Sequence, residues 1–195
     1  MTGKIRIIAG QWRGRKLTVP DRPGLRPTGD RARETLFNWI GPRLVGARVL
    51  DLFAGSGALG LEAASRGAAR VVLVERDAAA AARLRQGALG WPGSEAVELI
   101  QADALAWLKE CPEVFDLVLI DPPFAGDLHE QALALLAGPT RRLADRALVY
   151  VECAPDRLPE RWPDNLVRCR EKRLGQVLMT LLEYCPEERV AQPAV

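Results

Sequence analysis

Val49-Leu50-Asp51-Leu52-Phe53-Ala54-Gly55-Ser56-Gly57-Ala58-Leu59-Gly60 reads as a short apolar strand that ends on an acid, breaks into a glycine loop and opens a helix. Gly55 to Gly60 satisfy the G-x-G-x-x-G spacing, which in a doubly wound α/β fold sits at a nucleotide site. The spacing alone does not choose a ligand. Nicotinamide-dependent oxidoreductases share it, and glycine turns also serve plain helix-strand packing. Asp51 discriminates, because a carboxylate just before the loop sits poorly beside a pyrophosphate. It suits a cationic ligand such as the ammonium and sulfonium of S-adenosylmethionine.

Outward from this stretch the chain alternates. Strands are expected over Arg48 to Leu52, Val71 to Glu75, Val97 to Ile100, Phe115 to Ile120 and Ala147 to Val151. Between them fall helices near Ala58 to Ser65, Ala78 to Gly87, Ala104 to Lys109 and Leu128 to Leu136. Repeated β-α units need crossovers, hence a mostly parallel sheet with helices on both faces, a Rossmann-like α/β architecture. After Pro163 the character changes: Leu166 to Cys169 and Gln176 to Tyr184 flank the turn Arg173-Leu174-Gly175, an antiparallel C-terminal hairpin at the sheet edge that brings the sheet to seven strands. At the other end, Lys4 to Ala9 and Arg15 to Val19 flank Gly10 to Gly14 as a small N-terminal β-hairpin. A linker spans Pro20 to Pro27, and Thr28-Gly29-Asp30 offers N-cap chemistry to a helix over Arg31 to Ile40. The expected division is a basic arm and linker over 1–27, the α/β domain over 28–185 and a frayed tail over 186–195.

With 195 residues and 48% hydrophobic content the chain can bury one sizeable core. The opening residues hold no apolar run long enough for a signal peptide and no segment approaches a membrane span, so a cytoplasmic protein is expected. Cys111, Cys153, Cys169 and Cys185 show no close pairing and are read as buried thiols. With a lone His129 there is no zinc-type constellation, and no metal is expected. Charge is unevenly distributed. Residues 1 to 35 carry nine cations against three acids, a local net of +6 in a chain of +2, which leaves −4 for the remainder. Such localisation fits a polyanion-contacting arm, and Trp12 with Gly10 and Gly14 among the cations adds a means to stack on bases and approach phosphates. Arg6, Trp12, Arg13, Arg15 and Lys16 are the candidate polyanion contacts. The competing view is a solvated charged surface.

Other acids also fall at carboxyl ends of expected parallel strands, where open α/β sheets bind ligands. Glu75 lies where an acid can accept from ribose hydroxyls. Asp103 can accept from an adenine amine or, more plainly, cap the following helix. Asp121-Pro122-Pro123-Phe124 closes the apolar run Phe115 to Ile120. Two prolines fix φ and remove two donors, leaving a carboxylate, acceptor carbonyls and an aromatic face. That set suits the exocyclic amine of a nucleobase, although an Asp-Pro-Pro turn is also an ordinary end to a strand.

The acid-ended glycine loop and [Asp/Asn]-Pro-Pro-[aromatic] turn resemble those of class I S-adenosylmethionine methyltransferases that modify exocyclic amines. Arg6 to Gly10, Trp12 to Leu17, Leu25 to Thr28, Asp30-Arg31, Arg33 to Trp39 and Asp51 to Leu61 are more specifically similar to the RsmD family, over roughly residues 4 to 183. The resemblance implies a class I methyltransferase fold and methylation of N2 of one guanine in bacterial 16S ribosomal RNA, with the RNA expected within the assembling or assembled 30S subunit. It implies S-adenosyl-L-methionine as cofactor, S-adenosyl-L-homocysteine as product and a monomer without membrane partners. By position, Asp51, Phe53, Ala54, Gly55, Ser56, Gly57, Glu75 and Asp103 would form the cofactor shell, with Thr28 bordering its methionine end. Asp121, Pro122, Pro123 and Phe124 would form the catalytic turn, and the hairpin would meet RNA. In Lys172-Arg173-Leu174-Gly175-Gln176, Leu174 stands where the family carries alanine. Rival functions are a DNA adenine-N6 or cytosine-N4 methyltransferase, for which this length leaves little target-recognition region, and a noncatalytic RNA-binding ribosome-assembly factor.

Overall fold

In the computed structural model the described residues are 2–20, 29–123, 127–140, 142–159 and 161–186. Most of the expected linker, Thr28, Phe124 and the tail from residue 187 lie outside them. The elements are β1 (Thr2–Arg6), β2 (Lys16–Pro20), α1 (Asp30–Ile40), β3 (Arg48–Asp51), α2 (Ala58–Ser65), β4 (Arg70–Val74), α3 (Ala78–Gly87), β5 (Val97–Ile100), α4 (Ala104–Glu110), β6 (Phe115–Ile120), α5 (Leu128–Ala137), β7 (Leu143–Cys153), β8 (Leu166–Leu174) and β9 (Val177–Tyr184). A seven-stranded sheet runs in the order β5-β4-β3-β6-β7-β9-β8. β3 to β7 pair in parallel, whereas β9 is antiparallel to both β7 and β8. β1 and β2 form the separate two-stranded hairpin.

Successive strand residues point to opposite faces of the sheet, and here both faces are covered. Val49, Val71, Leu117 and Leu148 join the apolar cluster that also contains α1 residues Leu36 and Phe37. Their neighbours Leu50, Val72, Val118 and Val149 join a second cluster with Leu108 of α4 and Leu133 and Leu136 of α5. This is why the strands read as continuous apolar runs. Arg142, nearly buried, donates from Nε to the Leu108 carbonyl and from Nη2 to that of Lys109, both at 2.6 Å. It thereby satisfies carbonyls at the C-terminal end of α4.

Two strands are longer than their apolar patterns. β7 begins at Leu143, not Ala147: Asp145 and Arg146 interrupt the pattern where the β6 register shifts, and Arg146 has φ 62°. β8 continues to Leu174 because it is an edge strand whose Arg168 to Arg173 stand in solvent. Cys111 and Cys153 are buried as expected, but Cys169 is exposed on that edge strand and Cys185 is half-buried. The helix α1 starts at Asp30 with Gly29 as its N-cap, and no side chain caps it. Among the described residues no helix is long and apolar enough to cross a membrane.

The hairpin is docked on α2, all eight residues of which are buried. Glu62 accepts from the backbone of Ile8 at 2.7 Å and Ala9 at 3.0 Å, and from Arg66 Nε at 2.7 Å. Ser65 accepts from Gln11 N and Trp12 N and donates to the Ala9 carbonyl. Gly10, at φ +81°, permits this approach: a Cβ there would lie 1.8 Å from the Ser65 carbonyl oxygen. Arg33 is fully buried beneath the hairpin, bonding the Arg6 carbonyl and Asp30 through Nη2 and standing 3.9 Å from Glu62. One cation of the basic segment is therefore structural.

Trp12 must be corrected from an RNA contact to a core residue. It is 2% exposed, its Nε1 donates to the Pro92 carbonyl at 2.9 Å, and its ring meets Trp91 edge-on at 5.4 Å. Neither face is offered to a base.

Candidate active site

A cleft of about 1860 Å³ opens at the carboxyl ends of the parallel strands. Its floor is set by register: Asp51 ends β3 opposite Leu73 of β4 and Leu119 of β6. Asp51, Phe53 to Ser56, Glu75, Asp103 and the turn Asp121-Pro122-Pro123 all line this one cleft. Residues 51 to 56 and 121 to 123, far apart in the chain, thus share a site because β3 and β6 are neighbours.

Asp51 is 1% exposed and accepts from Gly60 N at 2.9 Å through Oδ2. Burial pushes its pKa up to about 7, the Gly60 hydrogen bond opposes that rise, and the charge of Glu75 adds to it. The glycines divide their work. Gly60 serves packing, since a Cβ there would lie 2.2 Å from Leu73 Cδ2 and 3.1 Å from Asp51. Gly57, at φ +75°, caps α2 and likewise leaves no room, with Leu84 Cδ2 2.7 Å from such a Cβ. Gly55 instead ties the loop to β4 by donating to Glu75 Oε2 at 2.7 Å.

Glu75 also accepts from Asp77 N at 2.7 Å through Oε1, so both of its oxygens are oriented by the backbone. Asp77 in turn caps α3. Asp103 caps α4 by accepting from Ala106 N at 3.0 Å, as its plainer reading required, and its carboxylate borders the cleft. Asp121 is half-buried, Pro122 buried and Pro123 exposed. Gly29, next to Thr28, is also part of the lining.

On the hairpin, Arg6, Arg13, Arg15 and Lys16 are exposed. Lys16 reaches the cleft mouth. Arg6 is paired with Asp30 at 3.1 Å, and the Arg15 guanidinium lies 5.1 Å from the Trp91 ring centre. The structure adds residues that the sequence reading passed over: His129 and Glu152 line the cleft, as do Arg31 and Arg173 at its rim. The rule that picked out Asp51, Glu75 and Asp121 also covers Glu152 at the end of β7. Glu152 lies one residue beyond the strand expected over Ala147 to Val151, outside the apolar run.

Such a strand order, with an antiparallel strand inserted beside the last parallel one, an acid-ended glycine loop and a Pro-Pro turn facing it, defines a class I methyltransferase fold. Residues 5–183 match the family model described as Conserved hypothetical protein 95. The chain is 47% identical over 182 residues to Ribosomal RNA small subunit methyltransferase D of Escherichia coli K12, covering 93% of this chain and 91% of the relative. The enzyme of the same name from Haemophilus influenzae is 45% identical over 184 residues, with 93% and 94% covered. The solved structure of yhhF from Escherichia coli superposes with a TM-score of 0.87 at 44% identity, covering 95% of this chain and all of the other. With these likenesses, the chain belongs to the ribosomal RNA small subunit methyltransferase D family.

Proposed function

We propose that the protein transfers a methyl group from S-adenosylmethionine to the exocyclic N2 amine of one guanine in 16S ribosomal RNA. It acts as a monomer in the cytoplasm on the assembling or assembled 30S subunit. One observation carries the reading: the acid-ended glycine loop and the Asp121-Pro122-Pro123 turn face the same cleft from adjacent strands.

The donor set fits the cofactor. Asp51 is a buried carboxylate of raised pKa, which a cationic methionine end would stabilise in its charged form, and Glu75 offers oriented oxygens to ribose hydroxyls. Asp51, Phe53 to Gly57 and Thr28 would hold the methionine end, with Asp103 toward the adenine amine. When bound, S-adenosylmethionine supplies an electrophilic methyl group.

Guanine N2 is conjugated with its ring and a poor nucleophile, so the chain's task is alignment. Asp121 and the Pro122 carbonyl accept the amine hydrogens, which draws the nitrogen lone pair out of conjugation, and Phe124 stacks on the base. Holding two reactants in line is worth about 7–11 kcal/mol of barrier, so positioning is the largest contribution assigned to these residues. Arg6, Arg13, Arg15 and Lys16 hold RNA phosphates at the cleft mouth and along the hairpin. The test is tritiated methyl transfer to ribosomal RNA and to 30S particles from cells lacking the endogenous activity, followed by nucleoside analysis. N2-methylguanosine is expected; a different methylated nucleoside, or no transfer to either substrate, refutes the proposal.

A further inference from the structure

β6 and β7 run in parallel with Ile120 opposite Val151. One step further along, Asp121 and Glu152 end neighbouring strands, and both line the cleft. Tyr150 and Glu152 are two residues apart on β7, so they share a face of the sheet. Glu152 is 6% exposed, and its position is held from two sides. Tyr150 Oη donates to Glu152 Oε2 at 2.6 Å, and His129 Nε2 lies 2.8 Å from the Glu152 carbonyl oxygen. Burial and then the charge of Glu152 raise the Tyr150 pKa well above its ordinary value, which keeps the hydroxyl a donor. A carboxylate has about four acceptor positions, so the tyrosine orients it without exhausting it.

The Asp121 turn accounts for the hydrogens of an exocyclic amine but not for the rest of the base. On guanine the atom beside that amine, N1, carries a hydrogen and is a donor. On a purine lacking that hydrogen, N1 is a lone pair that a carboxylate repels. We infer that Glu152 reads guanine: its carboxylate accepts from N1–H while the Asp121 turn holds the adjacent N2 amine, with Tyr150 as the positioning residue behind it. The inference rests on the guanine-N2 reading of the site and names the residue that selects the base.

The test uses two small-subunit RNAs that differ only at the methylated position, one with guanine and one with 2,6-diaminopurine, which keeps the 2-amino group but has a bare N1. Wild-type protein should favour guanine in kcat/KM. Glu152→Gln, whose amide can donate to a bare N1, should shift the ratio of the two kcat/KM values toward diaminopurine by about 10- to 100-fold. Tyr150→Phe, which removes only the hydroxyl, should shift it in the same direction by less and carries the test independently. Equal losses on both RNAs, as a merely structural role would give, or an unchanged ratio in both variants, overturns the inference. A wild-type protein that leaves N2 of the guanine RNA unmethylated overturns the proposed function itself, and this inference falls with it.

Discussion

If Asp51 holds the cofactor as proposed, cofactor affinity should depend on pH. Its pKa of about 7 comes chiefly from burial, so near neutrality the carboxyl holds a proton that an exposed aspartate would have released. Between the unfolded value near 3.8 and about 7 the folded chain binds this proton and the unfolded chain does not. Stability therefore falls as pH rises through that window, by up to about 4 kcal/mol. A cationic ligand beside Asp51 reverses the preference, because only the carboxylate attracts it. With a pKa of about 7 the ionised share is about 3% at pH 5.5 and about half at pH 7.0, so S-adenosylhomocysteine affinity should rise about 15-fold between them. Calorimetric titration in buffers of different ionisation enthalpy should also show proton release on binding. Asp51→Asn should bind more weakly at pH 7 and lose the slope, although it keeps His129, whose pKa burial lowers. A flat wild-type profile, or the same slope in Asp51→Asn, refutes the argument.

Three further outcomes are expected. Asp121→Ala should lower methyl transfer by about 100- to 1000-fold while leaving S-adenosylhomocysteine affinity near wild type; unchanged turnover would remove the turn from the chemistry. Arg13→Ala combined with Arg15→Ala should weaken RNA binding and reduce the slope of log affinity against log salt by about 1.4 to 1.8, read by filter binding from 50 to 200 mM salt. Glu62→Ala deprives the Ile8 and Ala9 amides of their acceptor and leaves the buried Arg33 with only the half-exposed Asp30 as a counter-charge, so urea unfolding should show a loss of about 3–5 kcal/mol.

Where one local pattern decided an element, the chain announced it. The bounds of α2, α3, β5 and β6 follow from apolar periodicity, and Asp51, Glu75 and Asp121 follow from the rule that parallel strands deliver ligands at their carboxyl ends. Features set by distant partners were hidden. Trp12 looked available because its neighbours in the chain are cations, whereas its burial is decided by Trp91 and Pro92. Arg33 looked like surface charge until the hairpin covered it. The ends of β7 and β8 were lost because a bulge and a solvent-facing edge put polar residues inside strands. Tyr150 and Glu152 act as a pair through a hydroxyl contact that alternating apolar residues cannot reveal.

One short helix has the glycine loop before its first residue and the hairpin bolted to its last turn. Eight residues at 1.5 Å each make it a strut of about 12 Å, so its length sets the spacing of those two features. Adding a single residue to it would part them by about 1.5 Å and twist one against the other by about 100°. The span of this rod, as much as the side chains at its ends, is what the fold has to keep.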